Sequence, residues 1–191
     1  MTRIIAGEAR GRRLKVPRGE RVRPTTDRVR ESTFGALGSL TTLEGVTVLD
    51  AFAGSGALGL EALSRGAAHA TFVERHRPTA AVLRANVAAL DYDDRSRIVQ
   101  TDVLRWLGTH DEEFFDVAFC DPPYDFPVPV WDRLLARLNA RILVAESDRA
   151  VVTNPAWSVI SERHWGSTVV QMARRRETGI EEVPARPSER G

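Results

Sequence analysis

The chain has 191 residues, of which 42% are hydrophobic, and a formal net charge of +1. This length favours one domain with a small extension, and the hydrophobic fraction is sufficient for a sizeable core. The single cysteine, Cys120, excludes an internal disulfide framework, and the four histidines lack ligand spacing, so we expect no metal site. No stretch is apolar enough to span a bilayer and the first residues lack the apolar core of a signal peptide, so a soluble, cytoplasmic protein is expected.

Basic residues are concentrated near the amino terminus. Residues 1–30 contain ten basic side chains against three acidic ones, a net charge of +7, whereas the rest of the chain carries −6. A positively charged amino-terminal segment on a negatively charged remainder indicates a polyanionic partner. Because Lys15 is the only lysine, part of the arginine content can reflect genomic composition, but composition does not explain the clustering.

The predicted elements begin with a β-hairpin or ribbon over residues 3–16, where short apolar pieces flank two glycines. Its basic side chains are expected on one face, where they would bind phosphates in a salt-dependent way. The candidate phosphate-binding residues of this region are Arg3, Arg10, Arg12, Arg13, Lys15 and Arg23. A helix over Thr26–Phe34 should follow, with a threonine as its N-cap.

Residues 46–148 alternate between strand and helix patterns. Strands are expected at residues 46–50, 70–74, 97–101, 115–120 and 141–145, with helices at residues 57–64, 78–90, 103–107 and 131–138. Such alternation predicts a mostly parallel sheet with helices on both faces. Residues 157–164 and 168–174 then flank Gly166 and predict an antiparallel pair, and residues 176–191 are expected to form a frayed polar tail.

A glycine-rich loop follows the first strand of this alternation. Residues Gly54–Gly59 match G-x-G-x-x-G, and Glu74 lies 20 residues after Gly54, as in a dinucleotide-binding fingerprint. The glycines let the backbone approach a ligand, and the carboxylate can accept hydrogen bonds from a ribose diol. The loop alone does not exclude that the protein is an NAD(P)-dependent oxidoreductase.

Acidic residues end four successive strands of the alternation, namely Asp50, Glu74, Asp102 and Asp121. Each acid alone is more often a helix cap, but four in order predict ligands bound across the carboxyl edge of the sheet. Asp50 can hold the amino group of an amino-acid moiety, which S-adenosylmethionine has and NAD lacks. Asp102 can bind an adenine amino group.

The most unusual stretch is Asp121-Pro122-Pro123-Tyr124, directly after a strand. The prolines stiffen the loop, and since Pro123 has no N–H, the carbonyl of Pro122 is available to a ligand. With the Asp121 carboxylate as a second acceptor and Tyr124 as a stacking face, the loop suits the exocyclic amino group of a nucleobase and the transfer of a methyl group to its nitrogen. The same residues, Asp-Pro and Pro-Pro, are also common in ordinary turns that end a strand.

Taken together, these motifs resemble those of class I methyltransferases. The amino-terminal stretches narrow the resemblance to the bacterial RsmD family, which methylates N2 of a guanine in 16S ribosomal RNA. The stretches that carry it are Arg3–Gly7, Arg10–Arg12, Arg23–Glu31, Asp50–Gly56, Glu74, Asp102 and Asp121–Tyr124. The resemblance covers about residues 3–175. It implies a Rossmann-like α/β fold with a seven-stranded sheet, a small N-terminal hairpin, and a target guanine expected at position 966.

The resemblance also implies roles for single residues. The catalytic loop would be Asp121, Pro122, Pro123 and Tyr124. The residues around S-adenosylmethionine would be Asp50, Ala51, Gly54, Gly56, Glu74, Arg75, Asp102, Val103 and Phe34, with the Thr26–Phe34 helix closing over the cofactor. The hairpin would bind 16S rRNA in a partly assembled small subunit, the protein acting as a monomer without metal or membrane. The expected domains are residues 1–40 (hairpin and helix), 41–175 (catalytic) and 176–191 (tail).

Two further functions remain open beside the oxidoreductase. One is a non-catalytic RNA-binding assembly factor, which the tetrad argues against because binding alone does not need Asp121. The other is a DNA adenine methyltransferase, for which the chain is short of a separate DNA-recognition domain. Many amino-methylating relatives begin their tetrad with Asn, whereas Asp121 is typical of the guanine-N2 branch.

Overall fold

Seven strands form a single sheet in the computed structural model, which describes residues 2–17, 27–123 and 125–176. A separate two-stranded hairpin precedes this sheet. The elements in chain order are β1 (Thr2–Arg3), β2 (Arg13–Leu14), α1 (Asp27–Gly38), β3 (Thr47–Asp50), α2 (Ala57–Ser64), β4 (His69–Val73), α3 (Arg77–Ala89), β5 (Ser96–Val99), α4 (Val103–Leu107), β6 (Phe115–Cys120), α5 (Val128–Arg137), β7 (Ala140–Ser147), β8 (Trp157–Trp165) and β9 (Thr168–Arg175).

The strands lie in the order β5-β4-β3-β6-β7-β9-β8. The five strands from β5 to β7 are parallel, and β9 is antiparallel to both of its neighbours, β7 and β8. From β3 the chain moves outward to β5 and then returns to β6 on the other side of β3. The order therefore reverses between β3 and β6, where an open α/β sheet has its ligand crevice.

Helices cover both faces of the sheet because successive strand residues point to opposite sides. One face packs α1, α2 and α3 through a core that includes Phe34, Leu60, Phe72, Leu83 and Val117. The other packs α4 and α5 through a core that includes Leu49, Leu107, Ala118, Trp131 and Leu143. The Rossmann-like architecture with seven strands that the sequence predicts is confirmed.

The hairpin packs on the body of the protein. Ile4, Ala9 and Leu14 are buried in the same core as α1, α2 and α3. The domain boundary expected near residue 40 stays a prediction, and the expected tail lies almost wholly outside the described residues. Over the three described segments, no helix is both long and apolar enough to cross a membrane.

Helix α3 is shifted by one residue from the sequence prediction, and helices α5 and α1 differ more in extent. Helix α5 begins at Val128 rather than at residue 131, because Pro129 fits the first helical turn, where an N–H has no partner. Helix α1 continues past Phe34 to Gly38, since Ala36 and Leu37 are buried and outweigh the low helix propensity of Gly35. Its predicted start and N-cap lie outside the described residues.

Candidate active site

A cleft of about 1110 Å³ lies at the carboxyl ends of the parallel strands. All four predicted acids line it, namely Asp50, Glu74, Asp102 and Asp121. Because β5, β4, β3 and β6 are adjacent in this order, the acids form a row that runs from Asp102 to Asp121. The structure thus brings these four side chains together, as the sequence predicts.

Asp50 is the most deeply buried acid of the row, with 2% of its surface exposed. Its Oδ2 accepts a hydrogen bond from the N–H of Gly59, near the start of α2, at 2.9 Å. Burial raises the pKa of Asp50 to about 7, because the Gly59 hydrogen bond only partly offsets the desolvation of the charged form. A cationic ligand group in the cleft would therefore stabilise the ionised carboxylate.

Glu74 holds the glycine-rich loop in place. Its Oε2 accepts the N–H of Gly54 at 2.9 Å, and its Oε1 accepts the N–H of His76 at 2.7 Å. Each carboxylate oxygen has a second lone-pair site, so these bonds fix the side chain and leave acceptor capacity toward the cleft. The 20-residue spacing between Gly54 and Glu74 corresponds to a direct contact.

Asp102 is the N-cap of α4. Its Oδ1 accepts the N–H groups of Leu104 and Arg105 at 3.0 and 3.2 Å. The helix-cap interpretation is thus correct for Asp102, and it is compatible with a site because the same side chain lines the cleft. The cap fixes the carboxylate beside the ligand volume.

Glycine is required for different physical reasons at the three glycine positions of the loop. Gly54 has φ +54°, and a Cβ there would meet only the Phe52 carbonyl, at 4.0 Å, so its surroundings are open. A Cβ on Gly56 would lie 2.4 Å from Leu83, and one on Gly59 would lie 2.3 Å from Phe72. Only Gly54 therefore has room for a ligand beside it, whereas the other two let the helix pack closely.

The loop after β6 forms the opposite wall of the cleft. Asp121, the buried Pro122 and the exposed Pro123 all line it, whereas Tyr124 lies outside the described residues. The carbonyl of Pro123 accepts the N–H of Phe126 at 2.9 Å, which turns the chain back toward α5. The Phe126 ring then meets Phe52 edge-on, with 5.3 Å between centroids, so the loops after β3 and β6 are packed together.

The remaining predicted cofactor residues divide into two groups. Ala51, Arg75 and Val103 line the cleft. Phe34 and Gly56 do not: Phe34 is 1% exposed and packs against Phe119 with 5.4 Å between ring centroids. A contact between Phe34 and the cofactor therefore stays a prediction, and the structure places this ring in the interior.

The basic side chains of the hairpin are exposed to solvent, and Arg12 also donates a hydrogen bond to the carbonyl of Ala89. Arg3, Arg10, Arg12, Arg13 and Lys15 are all exposed, and Arg23 lies outside the described residues. Arg3 and Arg13 are direct cross-strand partners, an arrangement of like charges that is unfavourable unless an anion is near. Arg3 also pairs with Asp27 at 3.4 Å.

Several cleft residues were not found from the sequence. Arg30 lines the cleft although it is 1% exposed, and Phe126 and Arg133 line it from the approach to α5 and from its exposed face. Phe126 gave a local signal as an aromatic close to the tetrad, and Arg30 belongs to the helix that was predicted to close over the cofactor. Throughout the described ranges, no three His, Cys, Asp or Glu side chains are grouped so as to hold a metal ion.

Comparison with known proteins identifies the family. The family model described as conserved hypothetical protein 95, which corresponds to RsmD, matches residues 2–179. The chain belongs to this family. A curated member, ribosomal RNA small subunit methyltransferase D of Haemophilus influenzae, is 36% identical over 173 residues, covering 86% of this chain and 89% of the relative.

Solved structures agree with this RsmD assignment. A putative methyltransferase, yhhF from Escherichia coli, has a TM-score of 0.78 at 36% identity, covering 91% of this chain and 97% of its own. Magnesium protoporphyrin IX methyltransferase from Synechocystis PCC 6803, solved with bound SAM, has a TM-score of 0.65 at 16% identity and covers 78% of this chain and 79% of its own. The latter likeness shows the fold alone, which is that of class I methyltransferases.

Proposed function

We propose that this member of the RsmD family transfers a methyl group from S-adenosylmethionine to the exocyclic N2 of a guanine in 16S ribosomal RNA, at the expected position 966. The observation that carries the proposal is the single cleft shared by the acid row and the proline-rich loop after β6. It is supported by the name of the Haemophilus influenzae relative, a ribosomal RNA small subunit methyltransferase.

The hydrogen-bond acceptors of the cleft fit S-adenosylmethionine. Asp50 would hold the ammonium of the methionine moiety, Glu74 the ribose hydroxyls and Asp102 the adenine amino group. Gly54 leaves room for backbone approach, because a Cβ there would meet nothing closer than 4.0 Å. When bound, the sulfonium supplies a methyl group that is already activated toward a nucleophile, so the protein's contribution is orientation and electrostatics.

The proline-rich loop would position the base. The carboxylate of Asp121 and the carbonyl of Pro122 would each accept one N–H of the guanine amino group, which turns the nitrogen lone pair toward the methyl carbon. Tyr124 would stack on the base once it has left its RNA stack, a step that is least costly in an unpaired loop. The proton that the amino group loses would pass to Asp121 or to water.

The basic hairpin would bind the phosphate backbone of the RNA. Support comes from the exposed side chains of Arg10, Arg12 and Lys15, and from the cross-strand position of Arg3 and Arg13, which one phosphate would contact together. Such contacts set the orientation of the RNA and carry no sequence information by themselves. The substrate would be a partly assembled small subunit, and the enzyme would act as a monomer.

The test is transfer of labelled methyl groups from S-adenosylmethionine to immature small ribosomal subunits, followed by nucleoside analysis of the RNA. The expected result is N2-methylguanosine at a single position. Naked 16S rRNA and duplex DNA serve as parallel substrates, and label in DNA adenine instead would overturn the choice of substrate. Absence of methyl transfer to all three substrates would overturn the proposed activity.

A thermal-shift comparison separates the remaining alternatives. We expect S-adenosylhomocysteine to raise the melting temperature and NAD to leave it unchanged, because ligands stabilise only the state that binds them. A shift with NAD alone would favour the oxidoreductase. A shift with S-adenosylhomocysteine together with RNA binding but no transfer would favour the non-catalytic assembly factor.

A further inference from the structure

Glu61 is a carboxylate buried within an otherwise apolar helix. It lies in α2, between Leu60 and Ala62, and its side chain has no exposed surface. A buried carboxylate is costly unless hydrogen bonds and opposite charges compensate it. Glu61 does not line the cleft. Its burial must therefore have a role other than direct contact with a ligand.

Its first partners are backbone N–H groups of the hairpin. Oε2 accepts from Ile5 at 2.7 Å, and Oε1 accepts from Ala6 at 3.0 Å. These bonds join positions more than fifty residues apart in the chain, and they hold the hairpin where β1 leaves for its turn. The neighbouring Ser64 adds a hydrogen bond from the N–H of Ala9 at 3.0 Å.

Its charged partners extend the connection to the cleft. The Nε atoms of Arg65 and Arg30 lie 2.7 and 3.9 Å from its carboxylate oxygens. Arg30 lines the cleft and donates hydrogen bonds to Asp27, at 3.1 Å, and to the carbonyl of Arg3. Burial lowers the pKa of Arg30, while Glu61 and Asp27 oppose that shift, so Glu61 stabilises a buried cation between the hairpin and the cleft.

The second strand of the hairpin has a similar attachment. Asn86 of α3 is 1% exposed, accepts the N–H of Lys15 at 2.8 Å and donates to the Lys15 carbonyl at 2.9 Å. The same amide donates to the carbonyl of Ser55, within the glycine-rich loop, at 2.8 Å. Asn86 therefore connects the hairpin directly to the loop beside the proposed cofactor.

We infer that Glu61 and Asn86 are positioning residues that fix the RNA-binding hairpin relative to the methyl-transfer cleft, an inference that rests on the proposed function. From a buried site, each forms hydrogen bonds to the backbone of the hairpin, Glu61 just after β1 and Asn86 just after β2. Through Arg30 and Ser55, each also contacts a part of the cleft. RNA bound to the hairpin is thereby presented to the loop after β6 at a fixed distance, which a flexibly attached arm would not provide.

The test uses the full chain with Glu61→Gln and Asn86→Ala, and Glu113→Gln as the control. Glu113 forms an ion pair with Arg97 on the surface, so its substitution removes a carboxylate away from the hairpin. An amide at position 61 faces two N–H groups with only one oxygen. We expect Glu61→Gln to raise KM for immature subunits about tenfold and to leave S-adenosylhomocysteine affinity within about twofold.

Asn86→Ala has a different expected pattern. It should raise KM for the subunits and also weaken S-adenosylhomocysteine binding by about threefold or more, because it releases the glycine-rich loop as well as the hairpin. Glu113→Gln should match the wild type in KM for the subunits and in affinity for S-adenosylhomocysteine. Unchanged KM for the subunits in both variants would overturn the inference, and if Glu61→Gln does not fold, Asn86→Ala alone decides.

Amide hydrogen exchange separates positioning from general destabilisation. In Glu61→Gln we expect faster exchange at Ile5 and Ala6, with protection retained in β3 and β6. A uniform loss of protection across the sheet would overturn the positioning role of Glu61. Hydrogen exchange does not depend on catalysis. If the wild-type protein transfers no methyl group, the proposed function is wrong, but the exchange measurement still tests how the hairpin is attached.

Discussion

The carboxylate of Asp50 and the N–H of Gly59 are joined by a hydrogen bond of 2.9 Å that links the end of β3 to the first turn of α2. This bond is the stabilising contact that opposes the burial of Asp50, and burial is the stronger effect, since the pKa is raised from 3.8 to about 7. Below pH 7 the carboxyl group is therefore largely protonated in the free protein.

We expect the contribution of Asp50 to the stability of the free protein to fall as the pH rises from 4 to 7. The folded state binds a proton that the unfolded state has already released in this range, so the free energy of unfolding falls with pH, by at most about 4 kcal/mol in total. Asp50→Asn, whose amide oxygen can still accept from Gly59, should remove this dependence. Urea unfolding at pH 5 and pH 8 measures it, with the exposed Asp111→Asn as a control that keeps the wild-type slope.

Gly59→Ala and Gly35→Ala should have opposite effects on stability although both glycines lie within helices. A Cβ on Gly59 would lie 2.3 Å from the buried Phe72 ring, whereas one on Gly35 would meet nothing within 4 Å. We expect Gly59→Ala to lower the free energy of unfolding by about 1–3 kcal/mol and Gly35→Ala to raise it by about 0.5–1 kcal/mol. Chemical denaturation of the two variants checks this, and equal signs would contradict it.

Asp121→Ala should reduce methyl transfer by on the order of 10²–10⁴-fold, because it removes an acceptor that orients the reacting amino group. Binding of S-adenosylhomocysteine should change by no more than about twofold. Single-turnover transfer and calorimetric titration measure the two effects. Asp132→Ala, an exposed acid on α5, should behave as the wild type, and full activity in Asp121→Ala would exclude the proposed mechanism.

Replacing Arg10, Arg12 and Arg13 together by alanine should weaken RNA binding and reduce its salt dependence. Three lost phosphate contacts lower the slope of log K against log salt by about 2. The matched control replaces Arg105, Arg137 and Arg141, which are exposed on α4, α5 and β7 and change the net charge equally. Equal slopes in both triple variants would mean that net charge, and not the hairpin, determines RNA affinity.

Cys120 should be unreactive toward thiol reagents in the folded protein. It is fully buried in β6, and burial together with the nearby Asp50 and Asp121 carboxylates raises the pKa of its thiol well above the usual range. We expect no modification by Ellman's reagent under native conditions and one thiol per chain in denaturant. Rapid native modification would show that the end of β6 opens to solvent.

Much of the fold could be predicted because its signals are local. The glycine loop predicted α2 at residues 57–64, and a strand-like apolar run predicted β6 at residues 115–120, both with the bounds that the structure has. The acid row was likewise predictable, since an acid after a parallel strand can reach only the carboxyl edge of the sheet.

Contacts that depend on packing were not predictable. Glu61 and Asn86 meet the hairpin across 55 or more positions of the chain, and no local pattern specifies such a partner. The one available signal for Glu61 was an acid inside an apolar helix. The burial of Phe34 was not predictable either, because a sequence does not distinguish an aromatic side chain in the core from one beside a ligand.

The position of β9 affects when the protein can complete its sheet during synthesis. Within the described part of the chain, β8 pairs with β9 alone, and β9 pairs with β7 on its other side. A nascent chain that ends before residue 168 therefore leaves the β7 edge open and β8 without a neighbour in the sheet. The parallel strands with the acid row can assemble earlier. The exposed edge of β7 can pair incorrectly until β9 has left the ribosome.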